Sequence, residues 1–127
     1  MEEGLAHRPV QIGIRTMNAV QAEAARHFGT EAIWPESLAA WQGLDGPDPV
    51  YVSIDLDALD PAFAPGVSHH EPGGLTVREV LAAVRKVRSP IVGADIVELN
   101  PDRDPDGRTA SVGARFVKEL LACLLNG

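Results

Sequence analysis

The sequence predicts an α/β fold, a parallel sheet with helices on both faces, on three observations. Short β-branched runs alternate with segments of helical apolar period. Their spacing suits β-α-β crossovers, which join parallel strands. The last strand-like run, from Pro90 to Val97, is nearly all apolar, as in a strand covered on both faces.

Taken in order, Pro9 to Arg15 places Val10, Ile12 and Ile14 at strand period, with Pro9 where a strand can begin. Asn18 suits a helix cap, and Val20, Ala24 and Phe28, four apart, predict a helix over 18–28 stopped by Gly29. Ala32-Ile33-Trp34 reads as a short strand. Pro35 to Trp41 reads as a second helix, with Pro at its start, Gly43 beyond its end and Trp34 and Trp41 as anchors. A turn-rich connection, Gly43 to Pro49, leads into Val50 to Asp55, a β-branched and aromatic strand. The loop from Ala58 to Gly74 holds Pro61, Pro65, Pro72 and three glycines, and its length points to a functional role. Thr76 and Glu79 form a capping box for a helix with Val77, Val80, Leu81 and Val84 inward and Arg78, Arg85, Lys86 and Arg88 outward. A final helix spans about Thr109 to Leu125, with Val112, Phe116, Leu120 and Leu124 on one stripe. No repeat, low-complexity tract or internal linker stands out.

The 127 residues suit one domain, and 45% apolar with 23% charged residues is an ordinary globular composition. The net charge of −7 repels nucleic acid and anionic membrane. The acidic start, Met1-Glu2-Glu3, lacks the basic and apolar regions of a secretory signal, so a cytoplasmic protein is expected. The single cysteine, Cys123, excludes an internal disulfide and falls near the apolar stripe of the last helix.

Ligands of open α/β sheets bind beyond the carboxyl ends of the strands, and two strands here end in carboxylates. In extended backbone Asp55 and Asp57 point to one side, which suits either a capped, solvated turn or a site for oxygen-loving cations. Asp95 and Glu98, three apart, face opposite sides of a strand. His69 and His70 lie in the long loop, where adjacent histidines commonly face solvent although one could reach the site. His7 and His27, without acidic neighbours, are expected at the surface.

Three segments, Ser53-Ile-Asp-Leu-Asp-Ala-Leu-Asp-Pro61, Ala64-Pro-Gly-Val-Ser-His-His-Glu-Pro-Gly-Gly-Leu75 and Gly93-Ala-Asp-Ile-Val-Glu-Leu-Asn-Pro101, resemble the ureohydrolases, the arginases and agmatinases. The resemblance implies an arginase-like α/β/α fold and hydrolysis of a guanidinium group to urea and an amine by a hydroxide bridging two Mn²⁺ ions. By motif, it implies that Asp55 bridges both metals, Asp57 ligates one and Glu98 receives the substrate guanidinium, with His69 also facing substrate. Asp60 is expected to fix its loop. The Val67-Ser68-His69-His70 segment stands where many arginases have Thr-Gly-Thr, and is similar to plant-type arginases and some bacterial agmatinases. The family's other metal ligands come from Gly-Gly-Asp-His and Asp-Ala-His-x-Asp segments that do not occur here. Residues 1–127 are therefore expected to be the C-terminal portion of a ureohydrolase domain, inactive alone. The implied partners are a small cationic substrate, agmatine before arginine, and further copies of the chain in a trimer or hexamer. The competing expectation is a non-catalytic interaction fragment of the same family.

Overall fold

The structure, a computed structural model, describes residue 3 and residues 6–126, so the acidic start at Met1-Glu2 lies outside the described residues. The chain forms two compact units, 1–41 and 42–127. Each contains one pair of parallel strands.

In the first unit, β1 (Val10–Ile12) pairs in parallel with β2 (Glu31–Ile33) across α1 (Ala19–His27). Asn18 caps α1 as expected: its side chain accepts from the Gln21 N–H, and the Gln21 side chain returns the bond to the Asn18 N–H. Gly29, at φ +63°, follows the helix end. The expected apolar stripe buries nothing, however. No residue of α1 is buried, and Val20 is exposed. The predicted second helix is also shorter, a single 3₁₀ turn over Pro35–Ser37. Its bonds run from residue i+3 back to i, as in Ser37 to Trp34 and Trp41 to Leu38, so the segment stays too tight to become α-helical. Trp41 is buried, whereas Trp34 is exposed.

In the second unit, β3 (Val50–Asp55) runs parallel to β4 (Ile91–Val97), with Ser53 opposite Asp95 and Asp55 opposite Val97. The crossover between them is α2 (Val77–Arg85), and α3 (Arg108–Asn126) packs against both β4 and α2. Pleating sends Ile54 inward while Tyr51, Ser53 and Asp55 stay exposed. The expectation that β4 is covered on both faces fails for this strand, since none of its residues is buried. The core instead gathers Leu56, Leu59, Ala64, Val67, Leu75, Val80, Val84, Phe116 and Leu120. The α3 stripe is thus buried at Phe116 and Leu120, while Leu124 is exposed. No helix among the described residues is long and apolar enough to cross a membrane.

Two electrostatic features hold the helices. Thr76 and Glu79 form the expected capping box at the start of α2. Arg85 is exposed, as expected, and also donates to Glu119 on α3, which receives Arg115 at 2.7 Å as well. The bonds from Arg85 and Arg115 hold the Glu119 carboxyl down to about 2, against the smaller opposing effect of burial.

Replacing Thr76 by Ala is expected to cost about 1 kcal/mol of stability, read as a lower denaturant midpoint at unchanged slope. A carboxyl lowered on folding stabilises the folded state above its unfolded value, near 4.5, and loses that contribution as pH falls toward about 2. Glu119→Gln is therefore expected to lower the melting temperature at neutral pH and to shrink the difference from wild type as pH falls through that window. Parallel melting curves across pH check this, and an unchanged difference at acid pH would count against the ion pair.

Candidate metal and substrate site

The site forms where β3 and β4 end side by side. Asp55 is the last residue of β3, and the chain then turns into one 3₁₀ turn, Leu56–Ala58, that carries Asp57. The expectation that both carboxylates project from one face of an extended strand is therefore corrected. The strand has stopped by Asp57, and the Asp55 carboxylate caps the turn by accepting the Asp57 N–H at 2.8 Å. Although Asp55 is open at the surface, neighbouring protein atoms desolvate its carboxyl and raise its pKa. The charges of Asp57 and Glu98 push the same way, against the Asp57 N–H bond and the influence of His69.

Glu98 follows the last residue of β4 and takes φ +69°, the left-handed region that is strained for a side chain of its size. This backbone reversal removes the alternation on which the separation of Asp95 and Glu98 was argued. The two still part company, for another reason. Asp95 remains within β4, where the Ser53 hydroxyl donates to it at 2.6 Å and the Tyr51 hydroxyl at 2.9 Å. The bond to that carboxylate raises the Tyr51 pKa.

His69 settles which of the two histidines reaches the acids. Its Nδ1 lies 3.1 Å from Asp57 Oδ2, with the imidazole 82% exposed and the Asp57 side chain 17% exposed. His70 turns away, placing Nε2 2.6 Å from the Pro65 carbonyl. Asp57, His69 and Glu98 each offer a ligating atom, and these atoms lie within 4.8 Å of one another. Asp55 is not a member of that tight group, although the charges of its members act on the Asp55 carboxyl. His7 and His27 are exposed, as expected, and Cys123 is half-buried.

The loop bearing His69 is fastened at both ends and in the middle. Leu59 and Leu75 bridge in parallel, and Asp60 accepts N–H bonds from Ala62, Gly73 and Gly74, the loop-fixing role expected of it. In the middle, the Gly66 N–H donates at 2.7 Å to the hydroxyl of fully buried Thr109. Glycine is required there, since a Cβ would lie 2.5 Å from that of Asp104 and 2.9 Å from that of Thr109. The Asn100 N–H donates to the Gly66 carbonyl at 2.8 Å, and its side-chain amide donates to the Ser68 hydroxyl at 3.0 Å.

The sequence reading passed over Thr109 and Asp104. Burial favours the protonated Asp104 carboxyl, but the Ala110 and Thr109 N–H bonds at the start of α3 outweigh it and lower its pKa. An acid shortly ahead of a helical run is the signal that points to such a cap. Nothing local in the sequence signals the Thr109 contact with Gly66, which joins residues 43 apart.

Comparison with known proteins bears on the family and the fold. A sequence model described as the Arginase family matches residues 1–123. Arginase 1, mitochondrial, of Arabidopsis thaliana is 47% identical over 133 residues, spanning 96% of this chain and 38% of that protein. Guanidinopropionase of Pseudomonas aeruginosa is 44% identical, spanning 98% and 43%, and the mitochondrial agmatinase of Gallus gallus is 38% identical, spanning 100% and 41%. The solved arginase of Medicago truncatula superposes with a TM-score of 0.88 at 43% identity, covering 97% of this chain and 42% of that one. This chain thus spans well under half the length of these relatives. On the family match and on this agreement of sequence and fold, the chain belongs to the arginase family.

Proposed function

We propose that this chain supplies one wall of a Mn²⁺-dependent ureohydrolase site acting on a linear guanidino compound. The observation that carries the reading is the convergence of Asp57, His69 and Glu98 within 4.8 Å at the ends of two parallel strands. The donor set fits the metal, since the carboxylate oxygens of Asp55 and Asp57 suit Mn²⁺. In this reading Asp55 and Asp57 are the metal ligands, and their negative charge offsets that of a metal pair. When bound, such a pair supplies water acidified toward neutral pH. Glu98 receives the guanidinium, whose planar N–H groups match a carboxylate in pairs. Its left-handed backbone turns the carboxylate toward Asp57 and away from the Asp95 cluster. His69, open to solvent beside Asp57, stands on the side from which a substrate would arrive.

The relatives' names span arginase, guanidinopropionase and agmatinase, which supports a guanidino substrate as the shared class. The plant arginases among them favour arginine as the first compound to test, with agmatine, expected first from the sequence, as the alternative. The printed names also include mitochondrial proteins, so the expectation of a cytoplasmic enzyme gains no support from them. A trimer or hexamer remains our expectation for the assembled enzyme, and the exposed Val117, Leu121, Leu124 and Leu125 of α3 are apolar surface that further chains could cover. Native mass spectrometry distinguishes assembly from a persistent monomer.

The chain alone is expected to release no urea from arginine or agmatine above a control with Mn²⁺ only, and sustained turnover would overturn the reading of a partial site. Joined to the part of the Medicago truncatula arginase that precedes the matched region, it is expected to release urea in a Mn²⁺-dependent way. In that chimera Glu98→Gln should lower kcat/KM by about 100-fold or more, as loss of a charge-stabilising group does. A folded chimera without Mn²⁺-dependent urea release rejects the ureohydrolase reading.

A further inference from the structure

We infer that Asn100 is a positioning residue that sets the distance between His69 and Glu98, an inference that rests on the reading of their cluster as a ureohydrolase site. Glu98 and His69 stand on separate loops, 29 residues apart in sequence, and neither is held by the strand pairing that places Asp55. Asn100 follows Glu98 by two residues and joins the two loops twice. Its backbone N–H donates to the Gly66 carbonyl at 2.8 Å, and its side-chain Nδ2 donates to the Ser68 hydroxyl at 3.0 Å. Ser68 immediately precedes His69.

The amide is used at both ends, because Oδ1 accepts the Asp102 N–H at 3.2 Å and caps the 3₁₀ turn Pro101–Arg103. That double use fixes the orientation of the amide and leaves Nδ2 aimed at the loop of His69. The same turn returns a second tie, from the Arg103 guanidinium to the Ser68 carbonyl at 3.3 Å. Ser68 is thus held through its hydroxyl and its carbonyl, one residue before an imidazole that is itself largely in solvent and has Asp57 as its neighbour. An exposed ring on a loop rich in Pro and Gly loses rotamer and backbone freedom when it is brought to a fixed distance from two carboxylates. The Asn100–Ser68 bond supplies that constraint from the loop that also carries Glu98. Ser68→Ala and Asn100→Ala each remove it while retaining the backbone bond from Asn100 to Gly66.

The test is ¹⁵N relaxation of the metal-free 127-residue chain, comparing wild type with Asn100→Ala, Ser68→Ala, the double variant and Ser68→Thr. The His69 backbone amide is expected to be rigid in wild type, with an order parameter of about 0.85, and to fall below about 0.6 in each alanine variant. The amides of α2 and α3 should remain at their wild-type values in each variant, and the melting temperature should do so in Ser68→Ala, which leaves the Asn100 cap in place. The double variant should loosen His69 no further than Asn100→Ala alone, since both changes remove the Asn100–Ser68 bond, and Ser68→Thr, which keeps the hydroxyl, should preserve rigidity. A His69 amide that stays rigid in both single variants overturns the inference, as does loosening that spreads equally over the helices. Should Asn100→Ala fail to fold, Ser68→Ala decides the matter alone.

Addition of Mn²⁺ to wild type separates this inference from the reading beneath it. Paramagnetic broadening centred on Asp55 and Asp57 supports both. Loosening in the alanine variants together with broadening centred elsewhere, or with a folded chimera that releases no urea with Mn²⁺, leaves the positioning role standing and removes the metal site.

Discussion

The parallel pairing of β3 with β4 is the constraint on which the site depends. Parallel strands deliver their carboxyl ends to the same edge, so the turn after Asp55 and the turn before Asn100 emerge as neighbours although they are about forty residues apart in sequence. An antiparallel pairing would have sent Asp57 and Glu98 to opposite ends. The register that sets Asp55 opposite Val97 also leaves one further residue, Glu98, to reverse the backbone and present its carboxylate. The crossover through α2 makes the parallel arrangement possible, and its packing on α3 joins the core beneath the site to the Arg85–Glu119–Arg115 cluster.

The long loop between Leu59 and Leu75 solves a second problem, the delivery of an imidazole to carboxylates that lie on strand ends. A loop this rich in Pro and Gly has few regular backbone bonds of its own. Its bonds come from elsewhere: Asp60 at the base, Thr109 of α3 at Gly66, and Asn100 and Arg103 at Ser68. Asp60 belongs to the loop, while Asn100, Arg103 and Thr109 lend it order from the 3₁₀ turn after β4 and from the start of α3. The density of carboxylates is a consequence of this convergence. Asp55 shows its cost, with a pKa raised by desolvation and by its neighbours Asp57 and Glu98, the condition that a cation would relieve.

Much of the architecture was legible in the residues. The strand from Val50 to Asp55, the capping box at Thr76 and the cap at Asn18 follow from local chemistry, because each rests on β-branching or on a side chain reaching a backbone N–H three residues away. Readings that rested on apolar spacing, or on Pro and Gly as helix ends, fared less well. The stripe of α1 buries nothing, and the segment after Pro35 tightens into a 3₁₀ turn, since apolar spacing describes a face without saying what covers it. Arg85 is exposed as expected, but its ion pair was not legible. Its partner Glu119 lies on another helix, 34 residues away, and no local pattern announces such a pair.

For the site, the sequence by itself determined the chemistry: which carboxylates end the strands, that a Pro and Gly-rich loop bears two histidines beside them, and that the motifs are those of the arginase family. These are properties of residue type and order along the chain. Only the tertiary structure decided the geometry. It showed that Asp57 leaves the strand and caps against Asp55, that His69 turns to the acids while His70 turns to Pro65, and that Glu98 reaches them through a left-handed backbone. The Asp55–Asp57 turn is local, but the placing of the loop of His69 beside Glu98 depends on partners far away in sequence, Gly66 with Thr109 and Ser68 with Asn100, and distance in sequence hides what packing brings within hydrogen-bond reach.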